Sequence, residues 1–303
     1  MAGPHDHKAD DRNAGVKVWL SGRLVPREQA VVSVLDSGFL MGDGVWEGLR
    51  VYSGRVPYLA AHLDRLFEGA MALDLDIGMT RAELSAAVDQ TLRANRMIDG
   101  VHIRLMVTRG LKRTPFQGPG VNVGRSTVVV LAEHKEPDPA VVARGISLFT
   151  VHVRRGRPDV QDPGWNSHSK LNCVTACIQA EKAGADEGLM LDPHGFVATC
   201  NSTHFFIIRN GELWTSSGRY CLEGITRGNI LRIARENGIT TRQKDFSLTK
   251  VYSADESFCT GTFAGVIPVR SVDGRTIGSG SVPGSLTAQL AAWYAEDIQQ
   301  QCR

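Results

Sequence analysis

Residues 166–199 constrain this chain more than any other stretch, because loop, helix, strand, turn and strand follow one another there. Asn166-Ser167-His168-Ser169 is polar and loop-like, and Lys170 comes directly after it. A helix-like run over residues 173–183 is closed by Gly184. The apolar run Gly188-Leu189-Met190-Leu191, the turn Asp192-Pro193-His194-Gly195 and strand-like Phe196-Val197-Ala198-Thr199 complete the block. A lysine is ordinarily a solvated surface charge. Lys170 lies between a polar loop and a mainly apolar helix, where an ammonium can be desolvated. A desolvated lysine loses part of its proton affinity and becomes a nucleophilic amine of the kind that forms Schiff bases.

A chain of 303 residues holds one large or two moderate domains with buried cores. Its formal net charge of +2 gives no electrostatic reason to expect nucleic acid or a membrane surface as partner. No apolar run is long enough to span a bilayer, and the polar N-terminus has no signal-peptide core. The six cysteines are scattered without paired metal spacing; Cys173 and Cys177 are four apart on the helix-like run, with no second pair of ligands. That pattern reads as reduced thiols in a cytoplasmic protein with no metal site.

Residues 1–15 lack apolar side chains to bury and read as a disordered tail. The first domain is expected over residues 16–132, a linker over 133–142 and the second domain over 143–303. In the first domain, Val18-Trp19-Leu20 reads as a strand and Ala30-Val31-Val32-Ser33-Val34-Leu35 as another. Leu59, Leu63, Leu66, Phe67, Ala70 and Leu73 form a helical stripe, and Thr80-Arg81-Ala82-Glu83 is a capping-box pattern opening a further helix. Val101 to Thr108 alternates like a strand. In the second domain, Asn210-Gly211 joins two strand-like runs as a hairpin. Thr226 caps a helix ending before Gly238, and such an N-terminus is a natural seat for a phosphate.

Several of these segments, in order, resemble the class IV aminotransferases, the fold-type IV enzymes that use pyridoxal 5'-phosphate (PLP). The resemblance runs from about Lys17 onward. It rests on Asp36-Ser37-Gly38 through Gly42-Asp43-Gly44-Val45-Trp46-Glu47, on His62-Leu63-Asp64-Arg65-Leu66, and on Lys170 with Gly-Ala-Asp-Glu-Gly-Leu-Met-Leu-Asp over 184–192. It rests also on Gly224-Ile225-Thr226-Arg227 and on Gly261-Thr262 before Pro268-Val269. It implies a mixed α/β (α+β) fold of two domains, a smaller N-terminal α/β domain and a larger C-terminal domain with a barrel-like β core. It implies Lys170 as the Schiff-base lysine and general base. Arg65, Ile225 (through its backbone), Thr226 and Thr262 would hold the PLP phosphate. Trp46, Arg50 and the backbone at Phe263 and Ala264 would meet the substrate. Arg113 is the match for a carboxylate-binding arginine, with Arg104 and Arg109 as rivals.

The function implied is amino transfer between an amino donor and a 2-oxo acid. Branched-chain amino acids are the preferred substrates on the Trp46-Arg50 stretch; D-amino acids or (R)-amines stay open on the Arg109–Pro115 loop. A PLP lyase of the aminodeoxychorismate lyase type and a non-catalytic PLP-binding homologue are the alternatives. The family's usual state is a homodimer. Two departures bear on this. Thr199 stands where the family has a glutamate facing the pyridine nitrogen, and Asn201 or His204 are candidates to compensate. The tyrosine that branched-chain members place after the lysine has no match among Cys173, Val174 and Thr175, which leaves Arg154, Arg155 or His168 for the cofactor's phenolic oxygen.

Overall fold

The computed structural model describes residues 3–5 and 7–303; the part of the expected tail formed by Met1, Ala2 and Asp6 lies outside the described residues. The chain forms two compact units. The N-terminal unit comprises Lys8–Glu136, Trp165–Lys170 and Gln301–Arg303; the C-terminal unit comprises Met1–His7, Pro137–Gly164 and Leu171–Gln300. The crossing between Glu136 and Pro137 falls inside the segment read as a linker. Within the segment read as a tail, Asp11–Gly15 forms a short 3-10 turn, and Asn13 exchanges two hydrogen bonds with the His134 main chain (2.9 and 2.8 Å).

The N-terminal unit contains β1 (Lys17–Leu20), β2 (Arg23–Pro26), α1 (Ser37–Met41), β3 (Gly44–Val51), α2 (Leu59–Ala72), α3 (Arg81–Ala94), β4 (Val101–Thr108) and β5 (Thr127–His134). The five strands form one antiparallel sheet in the order β2-β1-β5-β4-β3. Burial along β4 alternates strictly. Ile103, Leu105 and Leu49 thus face Leu63 and Leu66 of α2 and Leu84 and Val88 of α3 in one core. Each such side chain contributes about 1.5–3 kcal/mol by leaving water. The opposite face carries Trp46 beside Met106 and Gly48 beside Arg104. The Thr80–Glu83 capping box forms as expected. Residues 30–35 do not form the expected strand. Pro26 has no N–H to extend the ladder, and Val31 and Val34 are about 70% exposed rather than buried.

β3 is the edge of that sheet, and a later part of the chain covers it. Trp46 N donates to Asn166 O (2.9 Å), His168 N donates to Gly44 O (2.9 Å), and Val45 bridges Ser167 in antiparallel register. The Asn166 side chain adds a bond to Trp46 O (2.6 Å). The loop read before Lys170 is therefore pinned by main-chain bonds.

The C-terminal unit contains α4 (Pro139–Arg144), β6 (Ile146–Thr150), α5 (Pro158–Gln161), α6 (Leu171–Lys182), β7 (Glu187–Leu191), β8 (Val197–Cys200), β9 (His204–Arg209), β10 (Glu212–Thr215), α7 (Ile225–Glu236), β11 (Thr241–Gln243), α8 (Leu248–Tyr252), β12 (Glu256–Gly261), β13 (Gly265–Val272), β14 (Arg275–Thr276) and α9 (Ser285–Gln301). Its nine strands form one curled sheet, in the order β11-β10-β9-β12-β13-β6-β7-β8, with β14 on β13. β7 and β8 are buried at every position, which explains their near-continuous apolar sequences. The β9–β10 hairpin turns on Asn210 (φ 51°) and Gly211 (φ 73°), the left-handed pair that a two-residue hairpin requires. Among the described residues no helix is long and apolar enough to cross a membrane.

Candidate active site

Lys170 is the last residue of the segment pinned to β3, and it is half-buried. Trp46 is its neighbour: Lys170 Nζ lies 5.6 Å from the indole ring centroid. The indole is held by its own N–H, which donates to Ser167 O (3.0 Å). The Arg104 guanidinium packs over the same ring at 3.3 Å from the centroid. Arg104 has no carboxylate partner among the described residues, and burial lowers its pKa. His168 lies in the field of both cations. Burial first, then Arg104 and Lys170, push its imidazole down to about 4, so it is neutral at pH 7. Its Nε2 is buried with no hydrogen-bond partner among the described residues.

Behind β3 lies a second polar group, on the core side. Glu47 is fully buried and accepts from His62 Nδ1 (2.7 Å) and, in bidentate fashion, from Arg65 Nε (2.8 Å) and Nη2 (2.6 Å). Burial alone would raise the Glu47 carboxyl, but the bonds from His62 and Arg65 outweigh it and the net shift is downward. Arg65 is 10% exposed in this pair. Of the three rival arginines, Arg109 is committed to structure, bonding Asp43 (2.8 and 3.2 Å) and the carbonyls of Leu73 and Asp74 (2.7 Å each). Arg113 is exposed. Arg104 alone among them stands against Trp46. Arg50 lies four residues further along β3, buried, over the Tyr52 ring (5.4 Å).

The remaining expected residues belong to the C-terminal unit. The helix α7 starts at Ile225 with Gly224 as its N-cap, so Thr226 is not the cap but a buried residue of the first turn. Gly224 has no side chain to fill the cap; a Cβ there would collide with the His204 ring. The first intrahelical bond runs from Gly228 N to Gly224 O (2.9 Å), leaving the N–H groups before it pointing out of the helix. Thr262, Phe263 and Ala264 form the tight turn between β12 and β13, closed by Gly261 and Gly265. Phe263 is buried, with the His5 ring stacked on it at 5.7 Å.

Thr199 lies on β8, buried, opposite Met190. Its Oγ1 donates to Thr203 O (2.8 Å). Both expected compensators are engaged elsewhere: Asn201 bonds Gly188 twice (2.7 and 3.0 Å), and His204 Nε2 bonds Leu222 O (2.7 Å). Arg155 is buried with Nε on Tyr220 O and Nη1 on Cys173 Sγ (3.2 Å each), and Arg154 bonds Val151 O (2.8 Å).

Two groups are not legible as sites in the sequence. Glu47 stands there only as part of a motif, although its distance from His62-x-x-Arg65 suits a strand facing a helix. The fold also gathers Glu187, Cys200 and Cys259, all buried, with ligand atoms within 4.8 Å of one another. Sequence spacing gives no signal for that trio. Its glutamate oxygens are already occupied by Ser202 N, Ser202 Oγ and Thr203 Oγ1 (2.9, 2.7 and 2.9 Å).

The sequence profile of the amino-transferase class IV family matches residues 44–272. Branched-chain-amino-acid aminotransferase-like protein 2 of Arabidopsis thaliana is 40% identical over 282 residues; that is 93% of this chain but 50% of the relative, so the chain spans about half that protein's length. A branched-chain-amino-acid aminotransferase of Pseudomonas aeruginosa is 34% identical over 282 residues, 91% of each chain. The crystal structure of the T.th. branched-chain amino acid aminotransferase complexed with N-(5'-phosphopyridoxyl)-L-glutamate matches with a TM-score of 0.88 at 30% identity, covering 95% of both chains.

Proposed function

The chain belongs to the class IV aminotransferases, with their fold-type IV architecture, and from that premise we propose that it moves an amino group between a branched-chain-type amino acid and a 2-oxo acid, with PLP as cofactor and Lys170 as the catalytic amine. The observation that carries the reading is the setting of Lys170, fixed by main-chain bonds to β3 and set against Trp46, Arg104 and a neutral His168.

Two features suit the cofactor. The unfilled first turn of α7 offers N–H groups and a positive helix end to a phosphate. The buried Nε2 of His168, two residues from Lys170 and without a hydrogen-bond partner among the described residues, calls for a polar ligand atom. Bound PLP supplies an electron sink for the substrate's α-carbon. Lys170 would hold the cofactor and would serve as the base that takes and returns the proton at that carbon. The Ile225 N–H and the hydroxyls of Thr226 and Thr262 would hold the phosphate, and Arg65, oriented by Glu47, would be a further anchor. The indole of Trp46 gives the substrate side chain an apolar wall. The Phe263 and Ala264 backbone meets the substrate α-carboxylate. Arg104 takes a second carboxylate when the substrate carries one, as does the glutamate in the complexed relative.

The PLP-loaded protein is expected to show a visible absorption band that one class of donor, branched-chain L-amino acids, removes and a 2-oxo acid restores. A band indifferent to every L- and D-amino acid and (R)- or (S)-amine overturns the reading. In the same assay Arg104→Leu should lower kcat/KM for a dicarboxylate by ~10–100-fold, the loss of a charged hydrogen bond of about 1.5–3 kcal/mol. Equal rates for a dicarboxylate in both proteins would remove Arg104 from the site.

A homodimer is proposed with this function. Val31, Val34, Phe39 and Phe116 of the N-terminal unit are more than half exposed, and α6 presents Leu171, Val174 and Ile178 along one exposed face. Patches of this kind mark protein interfaces. Sedimentation at the monomer mass across micromolar concentrations would exclude the dimer.

A further inference from the structure

Thr199 cannot supply the charge that a carboxylate would, but a carboxylate stands two hydrogen bonds behind it. Glu187 opens β7 and is 1% exposed. Ser202 N and Oγ donate to its Oε1, and Thr203 Oγ1 donates to its Oε2. No lysine or arginine pairs with it among the described residues. Thr203 joins the two groups. Its hydroxyl serves Glu187, while its carbonyl accepts from Cys200 N (2.9 Å) and from Thr199 Oγ1 (2.8 Å). The single hydroxyl proton of Thr199 is therefore committed. Toward a ligand Thr199 presents only lone pairs, and lone pairs bind a nitrogen that carries a hydrogen.

We propose that Glu187, Thr203 and Thr199 form a hydrogen-bonded line that keeps the cofactor's ring nitrogen protonated, with Thr199 accepting its N–H and Glu187 as the buried counter-charge. This rests on the reading of function above, in which Thr199 faces that nitrogen. Three donors on one carboxylate favour its ionised form. Burial opposes them and moves the Glu187 pKa upward. A cation brought to the far end of the line shifts the balance back toward ionisation, so the ring proton and the Glu187 charge stabilise each other. Two thiols lie close to Glu187, the carboxylate Asp186 precedes it in the chain, and Glu181 acts with it on Cys177. Cys200 and Cys259 lie within 4.8 Å of it, and burial raises the Cys200 thiol well above its usual range. Cys177 is raised as well, by burial first and then by the Glu187 charge. Against these thiols a carboxylic acid is by type the stronger acid, so Glu187 is the one that carries the proposed charge. Thr203 and Glu187 are positioning residues; of the three, Thr199 alone touches the cofactor.

The test loads the full chain with PLP labelled with 15N at the ring nitrogen and follows that nitrogen's NMR shift with pH. Borohydride reduction and mass mapping first establish that the cofactor is on Lys170. The wild-type nitrogen is expected to be protonated at pH 7. Glu187→Gln and, separately, Thr199→Val should each lower its titration midpoint, by about one unit or more. Thr199→Glu in the Glu187→Gln background should restore it. A wild-type nitrogen unprotonated at pH 7, or a midpoint indifferent to Glu187→Gln, overturns the proposal. Should Glu187→Gln not fold, an unmoved midpoint in Thr199→Val overturns it equally. A cofactor absent from Lys170 would instead sink the functional reading itself, so the two failures are distinguishable.

Discussion

Lys170→Ala is expected to lose amino transfer, by the upper end of the ~10²–10⁴-fold that a positioned acid–base group contributes. The expected effect is large because, in the function proposed above, one amine carries two duties, holding the cofactor and moving the proton at the substrate carbon. No neighbour can inherit either duty. His168 is neutral at pH 7 with a pKa of about 4, too weak a base for that proton, and Arg104 stays ionised. The main-chain bonds that pin residues 166–168 to β3 do not involve the lysine side chain, so the fold should survive the substitution. Steady-state rates and a thermal melt check the two halves of this expectation. A variant within tenfold of the wild-type rate would mean that another amine does the work.

Glu47→Gln is expected to destabilise the N-terminal unit by about 3–5 kcal/mol, the usual cost of removing one partner from a buried ion pair. Three donors face Glu47, and an amide oxygen can serve only those on one side, so its NH2 meets at least one N–H on the other. Arg65 loses its counter-charge at 10% exposure. The expected readouts are a lower denaturant midpoint and weaker PLP retention, since Arg65 is oriented by this carboxylate. The same group predicts an acid limit. Its folded pKa is depressed, so its contribution to stability is present above the unfolded value, roughly pH 4.5. That contribution is lost as pH falls through the lower, folded value. Glu47→Gln should therefore flatten the pH dependence of stability below about pH 4.5. A variant as stable as wild type at pH 7 would show that His62 and Arg65 find other partners.

Local chemistry made much of the fold legible. The Thr80–Glu83 box, the Asn210-Gly211 hairpin and the α2 stripe each need only a few neighbouring residues, and each is where the spacing puts it. Residues 30–35 misled because an apolar, β-branched run signals a strand only if something pairs with it, and here the run stays exposed. At the site, residue types alone could not rank Arg104, Arg109 and Arg113. The ranking depends on which guanidinium already has an anion, and Asp43 claims Arg109 from 66 positions away. The Glu187 line was beyond the sequence for a similar reason. It closes through a carbonyl and a hydroxyl of the same threonine, and no spacing rule records the direction in which a hydroxyl points.

The strip of chain that caps β3 sets an order of assembly. Residues 8–136 leave the ribosome before residues 165–170 do, so the growing N-terminal unit first exposes β3 as a bare, hydrogen-bonding rim. At ~5–20 residues per second the missing strip arrives roughly two to seven seconds later. During that interval the nascent chain is open to any other strand that can zip onto Gly44–Val51. The residues that shut this window end with Lys170, so the step that makes the nascent protein safe from misassembly is also the step that delivers the lysine proposed as its reactive amine.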